Sequence, residues 1–165
     1  MSRSSKLSQL QLRVSQEEKS AIRRAARLAG MDMSAYVLSR VLPPPAESFQ
    51  RAVAALDGTD KPSYALAQIN SFLSELAAPE LRQAVATAPE TTLPPFLANY
   101  VAAMVETACS MRTLPIPSWT QRVAPLAEPA FGSKLPSLRL YLLTRSPAPF
   151  RQRNIFIDSS IGERV

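Results

Sequence analysis

The segment from Gln9 to Val14 reads Gln-Leu-Gln-Leu-Arg-Val, a strict alternation that sets Leu10, Leu12 and Val14 on one face and Gln9, Gln11 and Arg13 on the other. That period predicts a half-buried strand. No nearby run offers it a partner with hairpin turn chemistry, because the residues after Val14 read as helix. A lone strand leaves its backbone donors and acceptors unsatisfied, and pairing with the same strand of a second chain about a two-fold axis is the simplest way to satisfy them. The expectation is a homodimer joined through this strand.

Ser15-Gln16-Glu17-Glu18 fits a capping box and predicts a helix from Gln16, with Ile22, Ala25, Ala26 and Ala29 on its apolar side. Gly30 is placed to end it in a left-handed conformation. Asp32 or Ser34 then caps a second helix whose Met33, Tyr36, Val37 and Val41 share one face. All 15 prolines lie at or beyond Pro43, and the triplet Pro43-Pro44-Pro45 must stop that helix and stiffen the chain. The expected domains are therefore residues 1–44 and 45–165.

Charge follows the same division. Residues 1–42 carry eight basic and three acidic side chains, residues 43–111 three and seven, and residues 112–165 eight and three. A basic N-terminal block points to a polyanion only if a structural context supports it, since most charge simply solvates a surface. With no His and one Cys, Cys109, the chain's own side chains make no Cys/His zinc site, Ser-His-Asp triad or Cys-His dyad. Four scattered glycines make no phosphate-cradling loop. No cofactor is expected. A carboxylate enzyme remains a rival reading, to be revived by two convergent carboxylates in a pocket of residues 63–165. The polar, basic run Met1 to Ser8 has no apolar signal core, and Phe96 to Met111 is too short and too interrupted to span a bilayer. The expectation is a cytoplasmic protein without a membrane partner.

Strand, helix, Gly and helix within about forty residues resembles the ribbon-helix-helix repressors, the Arc/MetJ-like readers of DNA. The resemblance implies a mainly α protein: an N-terminal ribbon-helix-helix unit that pairs in a dimer, followed by a helical C-terminal domain. It makes Gln9, Gln11 and Arg13 the base-reading row, matching the chemistry of Gln with adenine and Arg with guanine. It makes the N–H groups of Met33 and Ser34 a phosphate clamp at a helix N-terminus, with Arg3 and Lys6 adding backbone contacts. Asp32 departs from that pattern, because its carboxylate repels a phosphate. Leu10, Leu12, Val14, Ile22, Tyr36, Val37 and Val41 become the dimer core. Leu-Arg-Val-Ser, Ala-Ala-Arg-Leu-Ala-Gly and Met-Ser-Ala-Tyr-Val look most like antitoxins of type II toxin–antitoxin modules, in a group whose toxins are GNAT-type acetyltransferases. The implied function is an antitoxin that binds double-stranded operator DNA, represses its own operon and neutralises a toxin through its C-terminal region. The rivals without a toxin are an accessory protein of plasmid mobilisation or partition and a stand-alone repressor.

Past the prolines the pattern predicts helices over Ala46 to Leu56, Tyr64 to Ala77 (with Ser63 as cap), Pro79 to Ala86 and Pro95 to Met111. Cys109 is expected on the packed side of the last. Leu114 to Trp119 reads as an extended lead into a short helix, Leu138 to Thr144 as helix in preference to strand, and Ile155 to Ile157 as a short extended segment. The tail's Arg151 and Arg153 have three readings: a satellite of the core, a docking surface, or a second polyanion contact. Pairing with the acidic middle block would remove any functional meaning. No residue beyond Pro45 matches a known partner-binding motif.

Overall fold

The structure, a computed structural model, describes residues 11–158. It is mainly helical and divides into two compact units, Met1–Pro43 and Pro44–Val165.

In the first unit, α1 (Gln16–Leu28) packs against α2 (Met33–Val41). The capping box forms as the sequence requires: the Glu18 amide donates to Ser15 Oγ at 3.2 Å, and the Ser15 amide donates to Glu18 Oε2 at 2.7 Å. At the other end Gly30 takes φ +67°, its amide donates to Arg27 O, and the Met31 amide donates to Ala26 O. Those two bonds are a Schellman motif, and the left-handed residue inside it is the reason for glycine. Of the apolar side expected for α1, Ala26 is buried and Ile22 and Ala25 are half-buried, whereas Ala29 is the exposed C-cap.

The second unit is built round α6 (Pro95–Met111), which is apolar on nearly every side and buries Val101, Ala102, Val105, Ala108 and Cys109 among others. Helix α4 (Pro62–Glu75) packs directly on it, and α3 (Pro45–Ala54) lies against both α4 and α5 (Ala78–Ala84). Phe49, Val53, Ile69, Leu73 and Leu81 are fully buried in the shared core. Ser63 does not cap α4; the cap is Lys61, and Pro62 occupies the first turn, where its missing N–H costs nothing.

A 3-10 turn (Thr120–Arg122) comes next, with the Trp119 indole donating to Val85 O at 2.9 Å. Beyond it lie β1 (Ala130–Phe131), α7 (Arg139–Arg145), α8 (Ala148–Arg151) and β2 (Ile155–Phe156). The two short strands pair in parallel, Ala130 opposite Ile155 and Phe131 opposite Phe156. Tyr100 on α6 meets Phe150 on α8 edge-on, with centroids 5.1 Å apart.

Candidate nucleic-acid interface

Gln9, Leu10, Arg3 and Lys6 lie outside the described residues. Residues 11–14 form neither helix nor strand and are all exposed, so the expected ribbon has no partner within the chain among the described residues. Gln11 and Arg13 are free to reach outward from there. Leu12 and Val14, however, are 57% and 44% exposed, which is a costly position for aliphatic side chains in water.

The rest of the expected dimer core tells the same story. Ile22, Tyr36 and Val37 are half-buried, and Val41 is exposed. Sequence reasoning missed Leu38 and Leu42, which are exposed beside them on and just beyond α2. The available signal was the position of Leu38, three residues before Val41 and four before Leu42. Ala26 is the one buried residue of this unit among those described, so a single copy of these two helices closes over almost nothing.

At the start of α2 the Asp32 carboxylate accepts from the Ala35 amide at 2.9 Å, and the Tyr36 amide donates to Asp32 O. Met33 and Ser34 thus contribute the first two amides of the helix, with the positive end of its dipole behind them. Asp32, not Ser34, is the cap, and its charge sits at the same helix end that an incoming phosphate would use. Arg23, Arg24 and Arg27 line the exposed side of α1, while Arg40 lies 5.2 Å from the centre of the Tyr36 ring.

Arg153, read from the sequence as one candidate polyanion contact, is buried and committed elsewhere. Its guanidinium donates to Glu106 Oε1 at 2.6 Å and Oε2 at 3.4 Å, to Asn99 Oδ1, and to the carbonyls of Thr120 and Val123. All five of its N–H donors have acceptors, so none is left for a ligand. Arg151 is exposed.

Two grooves open on the second unit. One of about 380 Å³ is lined by Tyr64, Gln68, Phe72 and Glu75, and one of about 370 Å³ by Leu93, Trp119, Arg122 and Val123. Neither holds a pair of carboxylates. Burial pushes the Cys109 thiol up, more than the nearby Arg112 lowers it, so the group is a protonated core side chain at neutral pH. Among the described residues no His/Cys/Asp/Glu cluster is arranged for a metal ion, and no helix is long and apolar enough to cross a membrane.

No curated protein and no solved structure matches the chain. A family model described as "Antitoxin TacA 1-like" matches residues 9–88, which begins at the first residue of the expected ribbon and continues through α5. Over just under half of its length the chain is thus similar to antitoxins, which supports an antitoxin of a toxin–antitoxin system and implies a toxin as partner.

Proposed function

We propose that the protein is a sequence-specific DNA-binding antitoxin: a dimer that represses its own operon and neutralises a toxin through residues 45–165. The observation that carries the DNA-binding half is the state of residues 11–14 and α2, where exposed Gln11 and Arg13 alternate with uncovered Leu12 and Val14 in a unit with almost no core of its own. A second copy of the unit satisfies both needs at once. It pairs the ribbon, covers Leu12, Val14, Leu38 and Val41, and leaves the Gln9, Gln11 and Arg13 row facing a major groove. Met33 and Ser34 position a phosphate, with Arg3 and Lys6 on neighbouring phosphates. Asp32 makes that clamp weaker than one with a neutral cap.

The test is a gel shift on the operator at fixed salt. Arg13→Ala is expected to cost roughly 1–3 kcal/mol and to relax preference at one base pair per half-site, while Lys6→Ala weakens all sequences alike. Full affinity and selectivity in Arg13→Ala would remove the readout assignment. Co-expression with the protein encoded beside this chain's gene tests the other half, because an antitoxin must bind that protein and relieve its toxicity.

A further inference from the structure

Helix α7 inverts the usual arrangement of a surface helix. Leu142 and Ser146 are buried, and the Ser146 hydroxyl bonds to Leu142 O and Ile157 O at 2.7 Å each, fixing that side of the helix to its unit. At about 100° per residue, Leu140 and Thr144 point away from the anchored side, flanked by Leu143 and Tyr141. Leu140 is 74% exposed, and Tyr141 and Leu143 are exposed too, as are Leu135 and Leu138 on the approach to the helix. Arg139 and Arg145 stand at the borders of this apolar face, Arg139 held 5.2 Å from the centre of the Phe131 ring. From residue 129 to residue 157 there are five basic side chains and no acidic one, and of the five Arg153 is spent on Glu106.

An apolar centre with a cationic rim is the anatomy of a protein-docking surface. We propose that α7 seats in an apolar groove rimmed by Asp and Glu on a partner protein. The inference rests on the antitoxin reading for that partner's identity, which is then the toxin. Charge disfavours a second copy, since a two-fold contact through this face brings Arg139 and Arg145 toward their own images. The leucines decide against nucleic acid, whose phosphates need donors at the centre of a contact rather than at its edge. Anionic lipid is bound by charge spread along a long helix face, and this helix has seven residues.

The experiment co-expresses the full chain with the protein encoded beside its gene and measures the affinity of the purified pair. Leu140→Asp with Leu143→Asp is expected to weaken binding at least tenfold, with operator binding and the thermal melt unchanged because both side chains are exposed. Arg145→Glu is expected to weaken binding at low salt and to flatten its salt dependence. If the wild-type pair forms and the leucine variant binds as tightly, the docking assignment is overturned and the antitoxin reading stands. If the wild-type pair does not form, the antitoxin reading itself fails. Self-association of the chain alone that Leu140→Asp abolishes, or sedimentation with phosphatidylserine/phosphatidylcholine vesicles that it abolishes, overturns the proposal in favour of a second copy or a lipid surface.

Discussion

Arg153 and Glu106 show how one pair of residues holds three segments together. Their side chains are 6% and 9% exposed, and the same guanidinium also ties down Asn99 on α6 and two carbonyls of the 120–123 segment. Taking two charges out of water is expensive, and this pair survives burial because every donor and both carboxylate oxygens are matched. Arg153→Met is expected to destabilise the protein by roughly 3–5 kcal/mol, since it strands the Glu106 charge. Adding Glu106→Leu should restore part of that loss, with a coupling of roughly 1–3 kcal/mol in denaturant titrations of the single and double variants. Additive losses would show that the pair does not act as a unit. The sequence displayed an acidic middle block and a basic tail, and so the option of pairing. It could not select Arg153 over Arg151, because the partners are 47 residues apart and only the packing of α6 against α8 brings them together.

At the scale of elements, what is local was legible. The capping box, the Schellman glycine and the Asp32 cap each depend on residues within one turn, and each formed where the spacing put it. The bounds of α6 were legible for the same reason: Pro95 opens it and Arg112, Thr113 and Leu114 leave it. Proline does more than break helices here, since α3, α4, α5, α6 and α8 all carry one in the first turn. The pairing of β1 with β2 was not legible, because two residues of strand have no period to detect. Ser15→Ala should cost about 1 kcal/mol of α1 stability, read by far-UV circular dichroism during thermal melting. The backbone and hydroxyl bonds from Ser15 hold the Glu18 carboxyl below its ordinary value. A lowered folded pKa means that this contribution is complete above the ordinary carboxylate range and fades as the pH falls through the folded value. Glu18→Gln should flatten that acid-side loss of helicity.

Over the whole molecule the two units differ in what holds them up. The second has a continuous core from Phe49 to Ile155. The first exposes Leu12, Val14, Leu38, Val41 and Leu42, and with α1 and α2 alone it falls below the size at which a chain buries enough surface to be stable. Thermal unfolding should therefore show two transitions. Raising the protein concentration tenfold should lift the midpoint of the transition assigned to the first unit and leave the other in place. A first transition indifferent to concentration would mean that this unit does not depend on a second copy. A mate for residues 11–14 is an expectation that the sequence raises through its alternation, because a chain's own residues can leave a predicted strand without a neighbour but do not say which molecule supplies one.

The bond between Glu106 and Arg153 also sets an order on biosynthesis. During translation the carboxylate on α6 leaves the ribosome dozens of residues before its counter-ion. Until Arg153 emerges, burial of α6 in its final place means burying a carboxyl group without its counter-ion, so the nascent unit is expected to close only after that residue is available.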